Sequence, residues 1–126
     1  MRLMPFSVTV DREHRLIRIA LRGAVSDEAL LALSAQVRND PAMAEGFDVL
    51  YDCRGATELT VTGDLIRNMG RRARGDKNRV AFVAATPSAF GLARMYQMVA
   101  EAEDRIRIFE DEAPAIAWLM GEPQPE

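Results

Sequence analysis

Asp52 and Arg54 are the first pair of side chains in the sequence whose types and spacing could form a binding site. They follow the apolar run Val49, Leu50 and Tyr51, and a spacing of two residues puts both side chains on one side of an extended chain. A carboxylate beside a guanidinium can act as a polar clamp for a ligand or a protein partner. The same pair can form an ion pair that only fastens the local chain, and the residues favour this structural use.

Thr62 stands directly before the helical pattern GDLIRNMGRRARG and is expected to cap that helix. A phosphate on its hydroxyl would be electrostatically favourable, because a helix N-terminus carries partial positive charge. Thr62 is therefore a candidate binding residue and a candidate phosphorylation site, although capping alone explains it.

The segment FGLARMYQMVAEAE, residues 90–103, contains a third candidate patch. Its helical periodicity places an apolar face toward a sheet, formed by Leu92, Met95, Tyr96 and Val99. Phe90, Gly91 and Arg94 fall outside that face, near the start of the helix. They form a candidate contact patch for a partner or ligand, and packing of Phe90 against a neighbouring helix is the alternative that the residues favour.

The run RRARGDKNR concentrates basic residues in a chain whose formal net charge is -3. Arg71, Arg72 and Arg74 could contact anionic lipid headgroups or an acidic partner. A solvated helix end whose charges offset the helix dipole is the alternative, and it is the one that the pattern favours.

Catalytic and metal-binding patterns are not evident in the sequence. The chain has one cysteine and one histidine, Cys53 and His14, which are far apart in sequence and are predicted on a buried strand and in a hairpin turn. A nucleophilic cysteine needs a nearby base, so we predict neither a catalytic role nor an enzyme. No cofactor and no metal site are expected.

Composition and charge restrict the classes of partner and the cellular location that we expect. The negative net charge argues against nucleic acid, and the longest apolar run, VAFVAA, is too short to span a membrane. A single cysteine cannot form an internal disulfide, and no segment has the length of a signal peptide. We therefore expect a cytoplasmic protein without a transmembrane segment.

The elements that must position these residues follow the order ββαβαβαβα. Two alternating segments, FSVTV and LIRIALRG, predict an antiparallel hairpin that ends at Gly23. Strand and helix patterns then alternate, which requires parallel strands and right-handed crossovers. The fold class is α/β: a single domain over residues 1–120, with a mixed, mostly parallel sheet covered by about four helices. Residues 121–126 are expected to form a disordered tail.

Four segments, in this order and spacing, resemble the SpoIIAA-like, or STAS/SEC14, domain proteins of bacteria: LYDCRGATEL, AFVA, FGLARMYQ and AIAWL. The resemblance covers residues 6–120 and implies a mixed sheet with packed helices, as in anti-sigma-factor antagonists and, more loosely, lipid-carrying SEC14 domains. In antagonists a strand ending in Asp leads into an Asp-Ser-Ser-Gly loop whose serine is phosphorylated. By resemblance, Asp52 matches the strand-end acid, and Thr62 and Gly63 retain a hydroxyl and the glycine. Thr60 and Val61 replace the other two motif residues.

Two functions follow as expectations. The first is a non-enzymatic STAS-like regulatory module that binds a protein partner through the loop after the third strand and the adjoining helix N-termini. Its polar centre would be Asp52, Arg54 and Thr62, and the patch of Phe90, Gly91 and Arg94 would lie on the same rim. The second is a small lipid- or amphiphile-binding protein that associates weakly with membranes. Formation of a homodimer stays open.

Overall fold

The computed structural model of the protein describes residues 4–121. In this range the chain forms one five-stranded sheet and five helices. The strands are β1 (Phe6–Asp11), β2 (Leu16–Ser26), β3 (Asp48–Thr60), β4 (Val80–Val83) and β5 (Ile106–Phe109). The helices are α1 (Asp27–Arg38), α2 (Pro41–Ala44), α3 (Gly63–Arg72), α4 (Pro87–Val99) and α5 (Glu112–Leu119). Apart from Gly121, the predicted tail lies outside the described residues.

The sheet has the mixed topology that the sequence predicts. The strands are in the order β1-β2-β3-β4-β5; β1 pairs with β2 antiparallel, and every other pair is parallel. Alternation explains the hairpin, because Val8 faces Ile19 and Val10 faces Ile17 across the pair. The crossovers through α1, α3 and α4 link consecutive parallel strands. No helix in residues 4–121 has the length and apolar character needed to cross a membrane.

Helix α2 was not predicted. The sequence Asn-Asp-Pro indicated only the end of α1, but Asp40 starts a new helical turn by accepting a hydrogen bond from the Ala42 amide at 2.9 Å. Pro41 occupies the first position of that turn, where its missing N–H costs nothing.

Apolar side chains divide the sheet into two unlike faces. The three-helix face carries Ile17, Ile19, Val49, Val80 and Ile106, which form one buried cluster with residues of α1 and α3, and α4 packs against it. The one-helix face carries a smaller buried cluster in which α5 contacts the sheet, formed by Leu16, Leu50, Ala81, Val83, Ala115 and Leu119.

Strands β2 and β3 are longer than predicted. The hairpin does not end at Gly23: β2 continues to Ser26, and β3 continues to Thr60 instead of turning into a loop after Cys53. Because β4 pairs with β3 only over Val49–Asp52, the later part of β3 pairs with β2 alone. Two irregularities in register bend this two-stranded extension. Gly55 is required there, since a Cβ at this position would lie 2.7 Å from the carbonyl oxygen of Leu21.

Candidate functional site

Asp52 and Arg54 form a closed, bidentate ion pair. The Arg54 side chain donates from Nε to Asp52 Oδ1 at 2.9 Å and from Nη2 to Oδ2 at 2.8 Å, and the Arg54 amide also donates to Oδ1 at 3.0 Å. Two parallel N–H···O bonds are the strongest geometry for such a pair. Both carboxylate oxygens of Asp52 accept hydrogen bonds from Arg54, so the two side chains satisfy each other.

Glu112 extends this pair into a network that holds the start of α5. Its Oε2 accepts from Arg54 Nη2 at 3.1 Å, and its Oε1 accepts from Arg18 Nη1 at 3.0 Å. Arg18 comes from β2 and Arg54 from β3, so Glu112 connects the first turn of α5 to two strands. The geometry supports the structural interpretation of the pair, in which it fastens a helix to the one-helix face.

Hydrogen bonds from Arg54 hold the pKa of Asp52 below its usual range, against a smaller opposing effect of burial. A carboxyl group whose pKa is lowered by folding stabilises the folded protein fully at pH values above its unfolded-state pKa of 3.8. That stabilisation is lost as the pH falls through the lower, folded-state pKa. The network is therefore expected to weaken only in acid.

Thr62 caps α3 as predicted, and it is also tied to the start of α1. Its Oγ1 accepts from the Leu65 amide at 3.3 Å and donates to Asp27 Oδ2 at 2.8 Å, while its own amide donates to Asp27 Oδ1 at 2.8 Å. The residue is exposed. A phosphate here would break the bond to Asp27 and place two anionic groups side by side, so phosphorylation would disturb the contact between the two helix N-termini. Modification of Thr62 stays a prediction.

Phe90, Gly91 and Arg94 lie on the solvent side of α4, and Met98 extends the same stripe. Phe90 is 49% exposed and Met98 57% exposed, and a spacing of four residues places Phe90, Arg94 and Met98 along one helical face. Packing of Phe90 against a neighbouring helix, the alternative that the sequence favours, therefore leaves about half of the residue exposed. A Cβ on Gly91 would meet no atom within 4 Å, so this glycine is not needed for packing within the chain. Met98 is not among the residues predicted for this patch, although its spacing of four residues from Arg94 is visible in the sequence.

The residues of the predicted rim are divided between the two faces of the sheet. Asp52 and Arg54 lie on the one-helix face with Glu112, whereas Thr62 and Phe90 lie on the helices that cover the other face. The continuation of β3 to Thr60 also separates Asp52 from Thr62 along the strand. The sequence-based error came from interpreting the glycine and polar residues after Cys53 as a loop.

The basic run is only partly free to contact a surface. Arg74 donates from Nε to the carbonyl oxygen of Val99 at 2.8 Å and lies 3.4 Å from Glu101, so it joins the ends of α3 and α4. Arg79 donates to the carbonyl oxygens of Trp118 and Leu119 at the end of α5.

Arg71 and Arg72 are exposed in the last turn of α3, where positive charge offsets the helix dipole. Crossover helices run opposite to the strands, so this turn lies at the other end of the layer from Phe90. Membrane contact through Arg71, Arg72 and Arg74 stays a prediction.

Comparison with known proteins identifies the fold. No family model matches the chain, and no curated protein matches it. Among solved structures, the chain is similar to the crystal structure of an uncharacterized DUF3478-family protein with a SpoIIAA-like fold from Shewanella loihica PV-4. The TM-score is 0.64 and the sequence identity 16%, over 94% of this chain and 97% of that chain. The chain therefore has a SpoIIAA-like fold, which confirms the predicted fold class.

Proposed function

We propose that this chain is a non-enzymatic protein-interaction module whose docking surface is the α4 stripe, defined as Phe90, Gly91, Arg94 and Met98. The observation that carries the proposal is the exposure of Phe90 and Met98 on one face of one helix. Four large apolar side chains are exposed within residues 4–121, and two of them share this stripe. Grouped exposed apolar side chains mark interaction sites more often than scattered ones do.

The composition of the stripe suits a protein partner. Aromatic residues, Met and Arg are enriched in protein interfaces, and aromatic and Arg side chains are frequent among those that carry the binding energy. Gly91 leaves space for a partner backbone or side chain to approach the helix closely. Apolar residues that line one face of a helix are typical of recognition in an apolar groove.

Arg94 indicates which charge the partner surface carries where it meets the stripe. Its guanidinium donates to the side-chain oxygen of Gln97 and lies 3.9 Å from Glu103, which is a loose ion pair. It keeps N–H groups available between the two exposed apolar side chains. The partner is therefore a protein surface with an apolar groove that contains a carboxylate opposite Arg94.

Leu31 provides a matched control for the test. It is 49% exposed on α1, as Phe90 is on α4. Tagged native protein and the variants Phe90→Ser and Leu31→Ser are used to capture partners from cell extract, and each candidate is then purified and titrated against all three proteins. We expect Phe90→Ser to weaken binding at least tenfold and Leu31→Ser to change it less than twofold. A purified partner that binds Phe90→Ser as tightly as the native protein contradicts the proposal.

A further inference from the structure

An apolar cavity of about 60 Å³, partly open to solvent, lies between the three-helix face of the sheet and the helices above it. Its walls come from β2, β3 and β4 below and from α1, α3 and α4 above, with Leu21, Leu30, Ile66 and Leu92 among the side chains that line it. A single water molecule needs about 10–15 Å³ of such space, so the cavity is several times larger than the gap that one water fills.

The side chains that line the cavity are almost entirely apolar. Within residues 4–121, no charged residue lines the cavity, and the polar side-chain groups that line it are the hydroxyls of Tyr51 and Tyr96 and the thiol of Cys53. Burial raises the pKa of all three groups, to about 12 for Cys53, so each is neutral at physiological pH. Water is held poorly in a space with so few polar partners, whereas an apolar molecule loses nothing by entering it.

The exposure of the central strands gives a second, independent sign of the cavity. Val49 and Val80 are 2% and 5% exposed on the three-helix face, as expected for strands covered by helices. Two residues further along the same strands, Tyr51 and Phe82 stack with ring centroids 4.9 Å apart and are only partly buried. Both rings line the cavity, so part of their accessible surface faces it.

Two alanines on α4 create the room. Ala89 and Ala93 lie one helical turn apart, are each 5% exposed, and line the cavity directly above the sheet. A larger side chain at either position would point into this space, since residues spaced by four share a helical face. The cavity is therefore a consequence of small residues at two specific positions.

We propose that the cavity is a binding site for a small, uncharged, apolar ligand: a single hydrocarbon ring or the end of an apolar chain. The absence of charged residues from the lining excludes a charged headgroup from the interior, and the volume excludes a whole long-chain lipid. The site lies beneath α4, on the opposite side of the helix from the α4 stripe, and it does not depend on the proposed function.

Titration with benzene, followed by NMR of the side-chain methyl groups, tests the site directly. We expect saturable shifts at lining methyls such as those of Leu21, Leu30 and Leu92, and none at Leu16 on the other face. Benzene at ten times its dissociation constant should raise the ratio of folded to unfolded protein about elevenfold. Octanoate distinguishes the two kinds of ligand. Saturable shifts at the same methyl groups with octanoate identify the end of an apolar chain as the ligand. Shifts with benzene alone identify a free small molecule.

Ala93→Leu fills the cavity, and Ala113→Leu makes the same chemical change at an exposed position of α5. We expect Ala93→Leu to weaken benzene binding at least tenfold and Ala113→Leu to leave it unchanged. Ala89→Val serves in place of Ala93→Leu if that variant does not fold. Unsaturable or dispersed shifts in the native protein overturn the proposal, as does equal binding by the filled variant.

Discussion

On one face of the sheet, three helices pack through apolar side chains and border a partly open apolar cavity. On the other face, a single helix of eight residues is fixed at both ends by arginines. Arg18 and Arg54 bind Glu112 at its start, and Arg79 donates to two carbonyl oxygens at its end. The most conspicuous charged residues of the sequence therefore fasten a helix, whereas the exposed α4 stripe and the cavity lie among the helices of the three-helix face.

Arginines also cover the aromatic side chains beside α5. The guanidinium carbon of Arg79 lies 5.3 Å from the centroid of the Trp118 ring, and that of Arg107 lies 5.7 Å from it. Such contacts are electrostatic and shield apolar surface at the same time. A short helix with a small apolar face is thereby kept on the sheet without a second helix beside it.

The largest effect that distinguishes the two faces concerns the thiol of Cys53 in the cavity. Burial raises its pKa from 9.0 to about 12, so the thiolate fraction at neutral pH falls about 1000-fold. We expect alkylation by iodoacetamide at pH 7 to be slower in the folded protein than in urea by about that factor, and to accelerate as the pH rises toward 12. Equal rates in the folded and unfolded protein would place Cys53 in a polar, reactive environment instead.

Two glycines on the neighbouring helices α3 and α4 differ in whether a side chain at their position would be packed or exposed. A Cβ on Gly70 would lie 2.9 Å from the side chain of Val99, in the contact between α3 and α4, whereas a Cβ on Gly91 would meet nothing. Gly70→Ala should lower the free energy of unfolding by about 1–3 kcal/mol, the usual cost of overpacking. Gly91→Ala should raise it by about 0.5–1 kcal/mol, because alanine favours the helix. Urea denaturation measures both, and changes of the same sign would refute the assigned packing.

Sequence patterns predicted the order and type of the long elements, because periodic apolar residues determine which face of each strand and helix is buried. They could not predict the extension of β3, since Arg54, Gly55 and Glu58 are exposed and polar in a strand paired on one edge. Gly55 has the appearance of a turn residue, but its role is to avoid the Leu21 carbonyl.

The candidate site was predicted only in part for the same reason. The separate roles of Thr62 as a cap and of Phe90 as an exposed residue follow from local patterns, and both are present in the structure. The grouping of Asp52 with Thr62 depended on where β3 ends. The cavity depends on the fit between α4 and the sheet, and its only trace in the sequence is the pair Ala89 and Ala93.

The smallest predicted effect distinguishes Glu112, which joins α5 to two strands, from an acidic residue at an ordinary helix start. Glu112 and Asp64 are both acidic residues in the first turn of a helix, but Glu112 binds arginines from two strands and Asp64 binds only Arg67 of its own helix. Glu112→Gln should therefore loosen α5 more than Asp64→Asn loosens α3, by about two- to fivefold in local opening. The excess should shrink at about 1 M salt, where screening acts within about 3 Å.

Residue-resolved amide hydrogen exchange of the native protein, Glu112→Gln and Asp64→Asn is the most direct test that the Asp52–Arg54 network holds α5. The account predicts faster exchange confined to α5 in Glu112→Gln at low salt, with α1, α3 and α4 unchanged. Unchanged exchange in α5, or equal acceleration in every helix, would contradict it.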